Sequence, residues 1–387
     1  MLRSVSMGKL AGIDIRVHPT VIFAALWIIW EFGIRSRDGW PGASYGLLLL
    51  VLVIGCVVLH ELGHSFMARE YGSGVRDITI YPLGGAAYIE RMPSDPRAEA
   101  AVTIAGPLVN VAIAASLLPI VVAVGLIDDR TSVSSFLNSM LEPSITGLLV
   151  SLLLFNIINF FFNLIPAFPM DGGRLVRAGL TSLIGRDQAT NVAVLFGYLI
   201  AVAMIVAGIV AWVPTLPMIG IFVMYQAYVE GKGVRIESMM RRMHVGQFAL
   251  WDGGGVEPTE PLKLALAGGT RDVVVTSDGK VVGMLWRNDV LQALRLGATN
   301  ATVEDAMDQH PFTATTNASV LEVHQLMEET NRWAVPIVEN GIYRGIFTVD
   351  RLMHVYRIAS DQTSITVRLK QIWRSVNARV RENISST

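Results

Sequence analysis

The stretch YGLLLLVLVIGCVVLHELGHSFM, residues 45–67, decides how the chain is read. It is apolar for long enough to cross a bilayer, which takes about 20 residues as a helix. Near its end stands HELGH, residues 60–64. On a helix, positions i and i+4 are only about 40° apart, so His60 and His64 face the same way. Two imidazoles on one face can hold a divalent metal such as zinc. Glu61 lies roughly 60° round from His64 by the same geometry, so it flanks a metal rather than binding it. From there it can take a proton from water. Gly63 is expected to leave room beside the metal. Ionisable side chains inside an apolar span are costly and usually functional. The bland alternative is a chance pattern, with Glu61 merely reaching interfacial water.

A catalytic zinc takes three protein ligands and keeps a fourth position open. The third candidate is Asp171, in NLIPAFPMDGGR, residues 163–174. Pro166 and Pro169 cannot continue a helix. The chain must therefore unwind there, at the depth of HELGH, and Gly172-Gly173 lets it turn closely. Asp171 can also be read as the N-cap of the helix GRLVRAGLTSLIG; the two roles are compatible.

The rest of the chain supports a membrane setting. Of 387 residues, 52% are hydrophobic and 16% charged, against roughly 25% charged in soluble domains. Six spans are predicted: Pro19–Phe32, Tyr45–Met67, Ala98–Ile127, Ser144–Ile165, Thr190–Trp212 and Leu216–Val229. Residues 74–90, GVRDITIYPLGGAAYIE, read as a short sheet. A net charge of −1 gives no sign of nucleic-acid binding, and the single Cys56 excludes an internal disulfide. The opening MLRSVSMGKLAGIDIRVHPT lacks the apolar core of a signal peptide. Arg3, Lys9, Arg16, Arg69, Arg76, Arg91, Arg97, Arg174, Arg177, Arg186, Lys232 and Arg235 fall on one side of the spans. The other side has only Arg35, Arg37 and Arg130, with Asp128 and Asp129. The positive-inside rule then puts both termini in the cytosol.

From about Ile236 the composition becomes that of a soluble protein. TRDVVVTSDGKVVGMLWRNDVLQALR and NRWAVPIVENGIYRGIFTVDRLMHVYR each read strand, turn, strand, helix, turning at Asp278-Gly279 and Asn340-Gly341. Residues 359–387 show a basic amphipathic stripe, from Ile365 through Trp373 to Val380. Such a helix lies on an anionic membrane surface or docks on a neighbouring domain or subunit.

HELGH on one span and NLIPAFPMDGGR on a later one resemble the site-2 protease family of intramembrane zinc metalloproteases. GIDIRVHPT and AGPLVNV, the latter at residues 105–111, are similar to that family too. The C-terminal repeat resembles a tandem of cystathionine-β-synthase (CBS) domains. The expected fold is a polytopic α-helical membrane protein of about six spans with a small membrane-associated β-sheet, residues 1–235. A tandem CBS domain follows at 236–358, in halves 236–300 and 301–358. The resemblance implies one zinc per chain on His60, His64 and Asp171, with Glu61 as general base and then acid. Asn163 matches a family asparagine that holds substrate or the oxyanion; an interhelical hydrogen bond is the alternative, and Asn156 and Asn159 share its helix. For Asn110, packing competes with substrate contact.

The implied substrate is a membrane-anchored protein, often a tether of a transcription regulator, cut within the lipid bilayer of the cell membrane. It must unwind to be cut. The edge of a strand at 78–89, with Gly84 and Gly85 allowing close approach, could hold it by β-augmentation. CBS pairs commonly bind ATP, ADP or AMP and mediate homodimers. In the family's nucleotide pattern Gly283 and Asp289 keep the spacing while Trp286 replaces a hydroxyl residue. In the second half Gly345 and Thr348 fit, and Asp350 arrives one residue early. Asp289 and Asp350 also suit helix capping. The rival classes are a CBS-gated transporter or channel, whose polar groups should sit near the midplane, and a binding module without catalysis.

Overall fold

The N-terminal residues form two strands, β1 (Val5–Leu10) and β2 (Ile13–Val17), joined at Ala11-Gly12, both with positive φ. That geometry suits the twist of a two-residue hairpin turn. These strands were not foreseen: all six residues of β1 are exposed, so no apolar alternation marks it. The chain then enters α1 (Val21–Ile29), a π-helical turn (Trp30–Arg35) and α2 (Gly39–Glu70). It returns as β3 (Val75–Tyr81) and β4 (Gly84–Ile89), the sheet expected at 74–90. β2 pairs parallel with β3, β3 antiparallel with β4, and the order is β1-β2-β3-β4. Ile13, Ile78 and Ile80 pack on Leu62 of α2, with Ile54, Val57 and Val58 around them. The sheet is thus docked by its apolar face on the end of α2 that carries HELGH.

The computed structural model describes residues 4–362, except 83, 91, 94, 129–131, 141, 252–253, 266–271 and 296–300. It divides into two units, residues 1–231 and 232–387. The first continues with α3 (Pro96–Ile127), α4 (Val133–Ser139), α5 (Ile145–Asn163), α6 (Asp171–Ile184) and α7 (Arg186–Val210). It ends in α8 (Thr215–Arg242), which crosses the boundary. Among the described residues, four helices are long and apolar enough to span a membrane: α2, α3, α5 and α7. This is fewer than the six expected. The first candidate is a nine-residue helix followed by π turns. The last candidate lies in α8, where Gln226, Glu230 and Lys232 interrupt the apolar run. In α2, Trp40 is strongly exposed and lies 20 residues before His60. That separation is about 30 Å along a helix, the thickness of a hydrocarbon core.

In the second unit β5 (Val273–Ser277) and β6 (Lys280–Leu285) form a hairpin, followed by the helix Arg287–Arg295. β7 (Ala314–Thr315), β8 (Ala334–Glu339) and β9 (Ile342–Thr348) form a second sheet with helices Val320–Thr330 and Val349–Gln362. Both predicted turns have positive φ at each central residue, Asp278-Gly279 and Asn340-Gly341. The hairpins also share a one-residue irregularity, at Val275/Thr276 and Ile337/Val338, as expected of a repeat. Val245, Val320, Met327, Ile337 and Phe347 are among its buried core. The amphipathic stripe beyond residue 362 lies outside the described residues.

Candidate metal centre

His60 and His64 are one turn apart on α2, and both are buried. Asp171 reaches them from the start of α6, after the chain leaves α5 at Asn163. The cap of α6 is Met170, so Asp171 is its first residue and not its N-cap. That leaves the carboxylate free to point at the histidines. The Nε2 atoms of His60 and His64 are 3.1 Å apart. Oδ2 of Asp171 lies 3.4 Å from the first and 3.2 Å from the second. This triangle can be tested against a metal. Ligand distances of about 2.0–2.1 Å in a tetrahedral zinc site put neighbouring donors roughly 3.3 Å apart. The three edges fit, and two neutral imidazoles with one carboxylate are a donor set that zinc takes.

Supporting groups fix the histidine. Nδ1 of His64 lies 2.9 Å from the carbonyl oxygen of Val102 on α3. A carbonyl only accepts, so Nδ1 carries the proton and Nε2 keeps its lone pair for a metal. Against the Nε2 end of the ring stands Gly106, where an added Cβ would sit 2.2 Å from Nε2. Gly63 has a different task from the one expected. Its missing side chain admits α3, whose Ala105 carbonyl would meet a Cβ at 2.8 Å. It brings the helices together and makes no space at the metal. Gly172 and Gly173 likewise press α6 onto its preceding loop, with Leu164, Ile165 and Ala167 backbone atoms within 2.2–2.6 Å of where Cβ atoms would be.

Glu61 turns to the sheet. Its Oε2 accepts a hydrogen bond of 3.0 Å from the backbone N–H of Ala87 in β4. The N–H of Glu90 bonds back to Gly74, on the β3 side. By alternation, the backbone groups of Gly85, Ala87 and Ile89 face the open edge, where Glu61 is. Gly85 is packed on that carboxylate: a Cβ there would meet Glu61 Cγ at 2.8 Å and Val57 Cγ1 at 2.9 Å. Gly84, beside it, begins β4 with φ of 147°.

The other candidates stand as follows. Asn163 closes α5 and donates to Oδ1 of Asn159 at 3.2 Å. Asn110 is fully buried one turn beyond Gly106, with no hydrogen-bond partner for its amide among the described residues. Asn156 is spoken for in part, donating to the Leu152 carbonyl and lying 3.4 Å from Cys56 Sγ. In the second unit Trp286 is buried, donates to Asp308 at 3.0 Å, and lies under the Arg332 guanidinium at 4.4 Å. Asp289 faces the same arginine at 3.7 Å. Trp286 and Arg332 fill the neighbourhood of Asp289 with protein groups. Thr348 ends β9, and Asp350 lies in the first turn of the last helix.

Val102, Gly106 and Ala87 were not found from sequence. Two of them act through backbone atoms, which no residue type announces. Gly106 left one signal: a glycine in a helix interior costs about 1 kcal/mol and so marks a packing demand.

Residues 48–208 match the model of peptidase family M50, and residues 303–358 match that of the CBS domain. A zinc metalloprotease of Methanocaldococcus jannaschii is 29% identical over 361 residues, 92% of this chain and 96% of that one. Stage IV sporulation protein FB of Bacillus subtilis is 32% identical over 168 residues, 42% of this chain and 46% of that one. A solved site-2 protease from M. jannaschii is 34% identical, with 59% of this chain and 95% of that one covered, at a TM-score of 0.44. The class that the metal triad and these matches define is the zinc metalloproteases. Residues 48–208 carry the peptidase family M50 match, that of the site-2 proteases, and a CBS domain follows at 303–358.

Proposed function

We propose that this protein cuts membrane-anchored proteins within or beside their transmembrane segments. The observation that carries the reading is the triad of His60, His64 and Asp171 with Glu61 held at the open edge of β4. His60, His64 and Asp171 would hold one zinc ion. Zinc bound there would polarise a scissile carbonyl and acidify a water to a pKa near 7. The remaining steps belong to the chain. An unwound substrate segment adds to the open edge of β4, where Gly85 and Ile89 offer backbone partners and Gly84 has open space beside it. Ala87 fixes Oε2 of Glu61 and leaves Oε1 to take the proton of the attacking water. Glu61 then returns that proton to the leaving amine. Asn163 and Asn110 are the candidate polar contacts to substrate.

In this reading six segments cross or enter the cell membrane, counting α1 and α8, with the metal near the cytosolic face. The CBS pair lies in the cytosol as a regulatory and dimerising domain. Adenine nucleotide binds through the second half, at Thr348 and Asp350, since Trp286 and Arg332 crowd Asp289 in the first.

The test is zinc analysis of the purified protein beside cleavage of a single-span substrate. His60→Ala, His64→Ala and Asp171→Ala should each lose metal, and Glu61→Gln should keep it and lose cleavage. Full occupancy in both histidine variants refutes the metal site. For the nucleotide, calorimetry with ATP, ADP and AMP should show heat that Asp350→Ala abolishes; none at millimolar ligand refutes that part.

A further inference from the structure

Arg177 lies on α6, six residues beyond Asp171, and is only 3% exposed. Its Nε donates to Oε1 of Glu99 at 2.8 Å, and Nη2 donates to the same oxygen. Nη1 donates to Oε1 of Glu230 at 3.1 Å. Glu99, on α3, is 1% exposed, and Arg186 lies 3.7 Å from its other oxygen. Two cations and two anions balance. Such a buried pair contributes little to stability compared with apolar side chains of the same size. What it does fix is distance and direction, since one rigid planar guanidinium holds two carboxylates at once, with two N–H groups on Oε1 of Glu99 and one on Glu230.

Both ends of the pair lead to the metal ligands. The Arg177 guanidinium lies 5.2 Å over the ring of Phe168, a fully buried residue three positions before Asp171. The glycine pair seals that loop against α6, so loop, Asp171 and helix form one piece. At the other end, Glu99 is three residues before Val102, whose carbonyl holds His64, and seven before Gly106, which stands against the Nε2 end of its ring. We propose that Arg177 is a positioning residue for the metal centre. By clamping α6 to the helix that orients His64, it sets the distance from Asp171 to the two histidines. The proposal rests on the reading of His60, His64 and Asp171 as a zinc site.

The test uses the full-length protein with both charges removed, Glu99→Met with Arg177→Met. Zinc release to a chelator should quicken about ten- to a hundredfold. The visible spectrum of the cobalt-substituted protein, which reports ligand geometry, should change. The thermal midpoint should hold or rise. A lower midpoint with unchanged cobalt spectrum and zinc release overturns the proposal, because it leaves Arg177 a purely structural role. Should that variant not fold, Arg177→Lys keeps the charge and loses the fork, and wild-type zinc release there overturns the proposal equally. A wild-type protein that holds no zinc refutes instead the metal reading beneath it.

Discussion

Replacing Gly106 with alanine puts one methyl group against the metal centre. The new Cβ would stand 2.2 Å from Nε2, 2.5 Å from Cε1 and 2.8 Å from Cδ2 of His64. Ordinary contact needs roughly 3.5 Å, so ring and helix must separate by about 1 Å. Metal–ligand distances tolerate about 0.2 Å. If the ring retreats, it leaves the triangle with His60 and Asp171. If α3 retreats, the 2.9 Å bond from Nδ1 to the Val102 carbonyl is stretched, at about 1 kcal/mol. Overpacking of this kind costs about 1–3 kcal/mol in all. Zinc affinity should fall at least about tenfold, or about 1.4 kcal/mol. The assay is competition with a chromophoric chelator, beside a thermal scan to show that the variant folds. Wild-type affinity in a folded Gly106→Ala variant refutes the claim that this glycine exists for His64.

Two further outcomes are expected. Gly85→Val pushes on Glu61 and Val57 from β4 and, with Glu61 as the proposed base, should cut turnover about a hundredfold by moving it about 1 Å, with zinc content unchanged; a full loss of zinc would show that the strand supports the metal instead. In the C-terminal unit, the hydrogen bond from Trp286 holds the Asp308 carboxyl below its ordinary value. Its contribution is therefore complete above about pH 4 and fades as pH falls through the depressed value. Trp286→Phe removes that donor and weakens the stacking on Arg332. The unit should lose about 1–2 kcal/mol near neutral pH, with less difference from wild type in acid; a gap that widens toward low pH would contradict the assignment.

The convergence of the three candidate ligands was legible because helix geometry converts spacing directly into direction. His60 and His64 need only a helix, and Asp171 needs only a helix that ends where Pro166 and Pro169 forbid it. Both hairpin turns of the C-terminal repeat were legible for the same reason, since Asp-Gly and Asn-Gly favour positive φ. What escaped was everything set by one element meeting another. The Val102 carbonyl and the Ala87 N–H are backbone atoms, identical at every position until the fold selects one. The strands β1 and β2 escaped because β1 is exposed along its whole length. Among the described residues only four of the six expected spans are helices long and apolar enough by themselves, because apolar content alone does not measure helix length, as α1 shows. Gly63 was assigned to the metal when its neighbour is α3, since a sequence gives the face of a helix only relative to itself.

The parallel pairing of β2 with β3 bears on the order of biosynthesis. Between these strands lie α1 and the whole of α2, so residues 13–17 wait for residues 75–81 to leave the ribosome before they find a partner. They can meet only if the intervening helices bring the chain back to the face from which it started. Closure of the sheet is thus a checkpoint on insertion. A nascent chain whose first hairpin of helices is misplaced leaves β1 and β2 without β3, and the strand that steadies Glu61 without its sheet.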